Sequence, residues 1–438
     1  MSNRIRTTRR AALEFLFVAA RAVAVAFACA GLAVPVHAEG TLSLDQALKL
    51  ARTRSQALVA QDAAASAARD MAVSAGQLPD PTLTMGINNL PVTGPDKFSL
   101  TDDFMTMASI GLMQEFTREE KRKARAARYD REAEAAQEGR KLALANLERD
   151  TAIAWFDRYY QEAVRTLLLR QRDEAKLQVE TADAAYRGSR GAQSDVIAAR
   201  QAVAMVDDRI AQSDRQVRTS KTMLARWIGT AAEDPLAAPP ATNDIPSQLA
   251  GMEAQWSHHP AIALLTKQEE TAKAEADVAR ASKQADWSVS LMYSQRGPNY
   301  SNMVSVFVSV PLQWDQGSRQ DREMSAKFAL ADQARAQRED LLRAHEAEAL
   351  AMWQEWQSNR GRLVRYDESL IPLAAQRTQA ALTAYRGGSG TLAAVLDARR
   401  AEIDTQIERV RLEQETARLW AQLNYLVPTD DPMRTVRR

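Results

Sequence analysis

The sequence predicts a mainly α fold with a small β part, built as an internal tandem duplication. Three observations carry this. The stretch "AYRGSRGAQSDV" beginning at Ala185 returns as "AYRGGSGTLAAV" beginning at Ala384. No proline stands between Pro95 and Pro235, so an uninterrupted helical zone is open there. Each half also carries two short stretches in which apolar and polar residues alternate. Aromatics make up only 6% of the chain and charged residues 26%, a balance that suits long helices with a narrow apolar seam better than a compact enzyme.

The elements follow in order. Residues 1–38 read as a secretory signal peptide. Arg4, Arg6, Arg9 and Arg10 open it, an Ala/Val/Phe/Leu run follows, and "VPVHA" ends at Ala38. Glu14 and Arg21 interrupt the apolar run, which argues against a spanning anchor. The only cysteine, Cys29, lies inside this segment, and Phe27 stands where a lipidation site would want a small residue. Cleavage near Ala38–Glu39 removes five arginines and one glutamate from a chain with 57 basic and 56 acidic residues. The mature chain is then slightly acidic, without thiol chemistry and without the basic block that nucleic acid requires.

The first repeat spans 39–230. An Ala-rich helical pattern covers 42–77, with Ser43 and Gln46 as a capping box and "GQLPDP" as its stop. Leu83, Met85 and Ile87 then alternate with Thr82, Thr84 and Asn88, a strand with one apolar and one polar face. A second, less regular strand is expected over 106–113. From about Thr117 to Arg187 the pattern is one long helix, with Phe156, Tyr160, Val164 and Leu167 on one face. Such a rod reaches roughly 105 Å at ~1.5 Å per residue. The turn and a returning helix over about 192–228 close the repeat, and a linker follows at 231–250.

The second repeat, 251–438, runs in the same order. A helix starts near Pro260. Val289 and Leu291 alternate with Ser288 and Ser290, and Val304, Val306 and Val308 with Ser305, Phe307 and Ser309. A long helix covers about 317–386 with a kink expected at Pro372, and a last helix runs to about Leu426.

Four strands cannot close a barrel, and an open edge in lipid leaves backbone groups unsatisfied. Three copies would supply twelve strands, an even number wide enough for a channel. In that arrangement Leu83, Met85, Ile87, Val289, Leu291, Val304, Val306 and Val308 belong to the barrel strands, with Thr82, Thr84, Asn88, Ser288 and Ser290 toward water. The long hairpins of three chains would form a hollow helical barrel. An ordinary antiparallel sheet with one solvated face predicts the same alternation from sequence, and a solid coiled-coil spacer is the alternative to the hollow tube.

The first turn presents Tyr186, Arg187, Gly188, Gly191, Ser194, Asp195, Val196 and Ile197; the second presents Tyr385, Arg386, Gly387, Gly390, Val395 and Leu396. With the duplication and the paired strands, these turns resemble those of the outer-membrane factor (TolC-like) family over essentially the whole mature length. "LPDPTLTMGINNLPV" and "DFMTMASIGLMQEFTREEKRKARA" are similar to its heavy-metal efflux members, CzcC-like or CusC-like. "TREEKR" stands where many of those have "P-x-x-G-K-R", and Ala393 and Ala394 stand where the turn pattern has Ser and Asp. The resemblance implies a homotrimer with a twelve-stranded barrel in outer-membrane lipid and a helical tube across the periplasm. It implies tips that dock a membrane-fusion adaptor tied to a resistance-nodulation-division pump of the inner membrane. The implied cargo is heavy-metal cations, Cu/Ag or Co/Zn/Cd. A channel for drugs or organic solutes, a periplasmic adaptor and a structural coiled coil are the alternatives. Glycine at the tips is expected to supply a positive φ at the helix end.

Asp195 and Asp397 lie within about two helical turns of the tips. In a threefold tube each would form a carboxylate ring able to gate cations, although a solvated helix face uses the same residues. His258 and His259 precede Pro260 and read as a loop or cap rather than a metal pair. Met105 and Met107, near a barrel rim, could touch a soft ion such as Cu(I), although methionine on a lipid-facing or core strand is commoner. Trp155, Phe156, Tyr159, Tyr160, Trp353 and Trp356 read as packing. No P-loop, nucleophile elbow, zinc-protease or dinucleotide motif is present, so neither catalysis nor a cofactor is expected.

Overall fold

The computed structural model describes residues 41–245 and 259–426. The expected signal peptide, residues 246–250 of the linker, and His258 lie outside the described residues. Leu42 and Asp234–Ala237 belong to one small unit. There Leu42 and Leu236 form a parallel bridge, with the Leu42 N–H donating to Pro235 O at 2.7 Å and the Ala237 N–H to Leu42 O at 3.1 Å. The elements that follow form the large unit.

The first helical pattern is two helices, not one: α1 (Leu44–Arg54) and α2 (Gln56–Ala75). The Ser43–Gln46 capping box is present at the start. The break falls at Ser55, in extended geometry, whose hydroxyl accepts from the Leu58 N–H at 3.4 Å. Serine competes for backbone donors in this way, so it ends one helix and caps the next.

Strands β1 (Thr82–Asn88) and β2 (Met107–Phe116) follow. The second begins one residue and ends three residues beyond the expected 106–113. Helix α3 (Glu119–Arg187) has 69 residues, roughly 100 Å at ~1.5 Å per residue. Phe156, Tyr160 and Val164 are buried along it, and Leu168 rather than Leu167 continues the buried face. Helix α4 (Gln193–Ile228) returns and ends in a 3₁₀ turn, Gly229–Glu233.

The second half gives α5 (Pro260–Ala281), β3 (Trp287–Gln295), β4 (Met303–Ser309) and α6 (Gln320–Arg365). A π-turn, Tyr366–Leu370, leads into α7 (Ile371–Arg386), and α8 (Leu392–Asn424) closes the chain. The π-turn is the form the Pro372 kink takes. Proline cannot donate to the carbonyl four residues back, and the preceding Ile371 N–H bonds Tyr366 O, five back, which widens the helix.

Helix α3 is the hub of the helical part and packs against α2, α4, α5 and α8. Its densest region is aromatic. Trp155 and Phe156 are fully buried, Phe156 meets Trp420 edge-on at 5.9 Å, and Trp155 stacks on Tyr159 at 5.7 Å. The same region buries one member of each of two ion pairs: Glu148, whose Oε1 lies 2.5 Å from Arg52 Nη2, and Arg158, whose Nε lies 2.8 Å from Glu162 Oε1. The four strands form one antiparallel sheet in the order β1-β2-β3-β4, so the two halves of the chain meet at the β2–β3 pair. Among the described residues no helix is long and apolar enough to cross a membrane.

Candidate functional site

Paired residues of an antiparallel sheet share a face, so the register sorts the side chains. Leu83, Leu112, Leu291 and Val306 make one row across all four strands; Met85, Ile110, Tyr293 and Val304 make the next. Ile87, Val289 and Val308 share that face. Every leucine, isoleucine and valine of the strands is on it. The other face carries Thr82, Thr84, Asn88, Ser109, Ser288, Ser290, Ser294, Ser305 and Ser309. The irregularity of β2 in sequence has a simple cause: Met107, Gly111 and Met113 sit on this hydroxyl face and blur the contrast.

Burial runs opposite to that of a water-soluble sheet. Met85 is 71% exposed, Val304 66% and Leu291 52%, whereas Ser109 and Ser294 are 9% and 4% exposed. The sheltered hydroxyls are bonded to each other: Asn88 Nδ2 donates to Ser109 Oγ at 3.0 Å, and Ser109 Oγ lies 2.8 Å from Ser294 Oγ. A soluble sheet packs its apolar face on a core. Here that face is bare, and the sheltered positions are on the polar face of the two central strands. Phe116 and Trp287 stack at 4.4 Å at the helical end of the face, and Trp314 is exposed just beyond β4. Aromatic side chains at the border of an apolar band are the interfacial signature of membrane barrels. Strands β1 and β4 are each paired on one side only among the described residues.

The tips form at the α3–α4 and α7–α8 turns. Gly188 and Gly387 do not take the positive φ expected of them; their φ values are −80° and −78°. The left-handed residue comes one position later, Ser189 at φ 55° and Gly388 at φ 78°. The second glycine of each turn serves close approach instead. A Cβ on Gly191 would lie 3.1 Å from Ala185 Cβ, and one on Gly390 would lie 3.0 Å from backbone atoms of Ala384 and Tyr385. The chain folds this tightly because Ser389 and Gly390 both donate their N–H to Ala384 O, at 3.0 Å each.

Residues singled out at the tips divide by burial. Val196, Ala182, Ala199 and Leu392 form a small core against which Tyr385 and Leu396 pack, and Val395 is buried. Tyr186, Arg187, Gly188, Ser194, Ile197 and Gly387 face solvent. Arg187 Nη2 pairs with Asp183 at 2.6 Å. Asp195 is a helix-cap residue, its Oδ2 accepting from the Ala192 N–H at 3.4 Å. Asp397 lines a groove between the two hairpins with Arg209, Arg399 and Arg400. All three arginines pair elsewhere, Arg209 with Asp404 at 2.8 Å, Arg399 with Glu174 at 3.1 Å and Arg400 with Asp404 at 3.9 Å.

His259 is a buried N-cap whose Nδ1 accepts from the Ala261 N–H at 3.3 Å. Burial and the neighbouring His345 ring, 4.9 Å away, lower its pKa from 6.5 to about 4. A ring that accepts at Nδ1 carries its proton at Nε2, so neither nitrogen is open to a metal. Among the described residues no cluster of three His, Cys, Asp or Glu could hold a metal ion.

No family model matches the chain, and no curated protein matches it in sequence. Solved structures do match in fold. The outer-membrane channel OprN aligns with a TM-score of 0.73 at 16% identity, covering 87% of this chain and 89% of its own. The outer membrane protein VceC from Vibrio cholerae gives 0.70 at 17% identity, covering 87% and 95%. CusC, solved in a study of folding and transmembrane channel formation, gives 0.69 at 14% identity, covering 88% and 92%. The chain has the fold of these channel proteins.

Proposed function

We propose that the chain is one third of an outer-membrane efflux channel. Three copies close a twelve-stranded barrel, β1 of one against β4 of the next, with the apolar faces in lipid and the hydroxyl faces around a water-filled lumen. The six helical hairpins of the trimer extend the conduit through the periplasm. The tips dock a periplasmic membrane-fusion adaptor that couples the channel to an inner-membrane resistance-nodulation-division pump. Conduction is passive, the energy coming from the pump, so no catalytic group is required.

The observation that carries this reading is the inverted sheet: an uncovered apolar face, hydroxyls sheltered at the centre of the opposite face, and two strand edges left unpaired among the described residues. A periplasmic adaptor or a coiled-coil spacer would have to cover the apolar face with its own chain. Lipid and neighbouring copies resolve both problems at once. The likeness in fold to OprN, VceC and CusC supports the same reading. Among cargoes we favour heavy-metal cations, on the sequence segments around β1 and β2. Two measurements test the proposal. The purified outer-membrane fraction should migrate as a heat-modifiable trimer; a water-soluble monomer would overturn the channel. A deletion strain should become sensitive to copper, silver, zinc, cobalt or cadmium; unchanged tolerance of all five would remove the metal assignment and leave the channel.

A further inference from the structure

The methionines of the sheet do not sort with the branched aliphatics. All leucines, isoleucines and valines of the strands lie on the lipid-side face. Of the five strand methionines, only Met85 joins them; Met107, Met113, Met292 and Met303 lie on the hydroxyl face. Phe307 shares that face beside Ser290, so the methionines are distinguished by their number, four of five, and by their thioether sulfur. They stand among Thr82, Ser290, Ser294 and Ser305, where an apolar side chain gains nothing from lipid.

Their positions connect. Met113 pairs with Ser290, and Met292 is two residues further along β3; Met292 pairs with Ser305, and Met303 is two residues before it on β4. Met113, Met292 and Met303 therefore form a diagonal across three adjacent strands. Diagonal neighbours on one face lie ~7–8 Å apart, within reach of long side chains. Met292 lies over Gly111: a Cβ there would meet Met292 Cβ and Cε at 3.6 Å each. Its sulfur is 4.0 Å from Asn88 Nδ2, and Asn88 pairs with Met107. Met113 and Met303 are exposed.

We infer that this diagonal is a thioether path for a soft monovalent cation, Cu(I) or Ag(I), along the lumen wall. Thioether sulfur is a soft, neutral donor that selects Cu(I)-type ions over zinc, cobalt or other borderline cations. A path of neutral donors holds the ion weakly at several places, which is what conduction requires: binding sufficient for entry and loose enough for exit. The inference rests on the channel reading, which places the hydroxyl face toward the lumen. Within it, the methionines narrow the cargo from heavy metals at large to the soft monovalent ones. The adjacent hydroxyls and Asn88 offer the partly desolvated ion its remaining oxygen contacts.

The test uses the purified full-length protein in detergent, labelled with ¹³C-methyl methionine, and silver nitrate in chloride-free buffer. Added Ag(I) should shift the methyl signals of Met113, Met292 and Met303 and leave that of Met85 in place. In equilibrium dialysis, M113L/M292L/M303L should bind Ag(I) about tenfold or more weakly than the parent, and M85L like the parent. Leucine conserves volume, and the single variant M292L carries the same expectation with a smaller loss should the triple variant fail to assemble. Unmoved methyl signals, equal binding by the triple variant, or an equal response to Zn(II) overturns the path. Planar-bilayer conductance of the same samples separates the two ideas. A pore that conducts without methionine-dependent silver binding keeps the channel and removes the path; absence of a pore removes both.

Discussion

Alanine at Gly390 should open the second tip, whereas alanine at Gly387 should leave it closed. The two glycines look alike in sequence, three residues apart in one turn. At Gly387 the backbone sits at φ −78°, ψ −4°, which any residue adopts, and the nearest atom to an added Cβ is Thr383 O at 3.4 Å. Gly387→Ala therefore restricts mainly the unfolded chain, an effect of about 0.4–1 kcal/mol in favour of the fold. At Gly390 an added Cβ meets the carbonyl carbon and Cβ of Ala384 and the amide nitrogen of Tyr385, each at 3.0 Å. Two of those are backbone atoms, which cannot swing aside as a flexible side chain would. Overpacking of this kind costs roughly 1–3 kcal/mol. The strain falls on the turn that Ser389 N–H and Gly390 N–H close on Ala384 O. Amide exchange at residues 388–391 should accelerate roughly ten- to a hundredfold in Gly390→Ala. Gly387→Ala should exchange at the parent rate or slower. Parent-like exchange in Gly390→Ala, together with faster exchange in Gly387→Ala, would refute the assignment of close approach to the second glycine.

Two further outcomes follow from buried groups. Arg52→Met should lower the thermal midpoint sharply, because Glu148 is fully buried and its Oε1 loses an arginine 2.5 Å away. Breaking a buried pair from one side costs about 3–5 kcal/mol, and Arg52→Met/Glu148→Leu should recover much of that; a double variant no better than the single would contradict it. His259 has its folded pKa lowered from 6.5 to about 4, so its contribution to stability is full above 6.5 and is lost as pH falls toward 4. That loss is roughly 3 kcal/mol per site at most. His345 faces the ring, and Glu348 Oε2 lies 3.8 Å from His345 Nδ1. His259→Asn keeps an acceptor for the Ala261 N–H without titrating, so its melting midpoint should fall less between pH 6.5 and pH 4. An unchanged slope would remove His259 from the account.

Much of this fold was legible because its signals are local and periodic. Ser43 and Gln46 announced the first helix start, and the strict alternation from Thr82 to Asn88 announced β1. Three features stayed hidden for physical reasons. Ser66 and Ser74 sit inside α2 while Ser55 caps it, so a serine in this Ala-rich pattern does not by itself mark the break; the bond from the Leu58 N–H to Ser55 does. The π-turn before Pro372 is a backbone accommodation that leaves no composition signal. At the tips, a glycine in sequence says that freedom is needed without saying which kind. The left-handed position belongs to Ser189 and Gly388, and Gly191 and Gly390 supply room. The two faces of the sheet were legible strand by strand for β1, β3 and β4. Which face is bare required the register and the burial together. The same holds for the methionines, since Met113 and Met292 are distant in sequence and become neighbours only through the β2–β3 pair.

In the proposed channel Ser290 faces the water of the pore and Leu291 faces lipid. Single cysteines at the two positions, in a Cys29→Ser background, can be reconstituted in planar bilayers and treated with a charged, membrane-impermeant thiol reagent. Conductance should drop on modification of Ser290→Cys and be unaffected in Leu291→Cys. Absence of any pore from the assembled protein, or block at Leu291→Cys with Ser290→Cys inert, would contradict it.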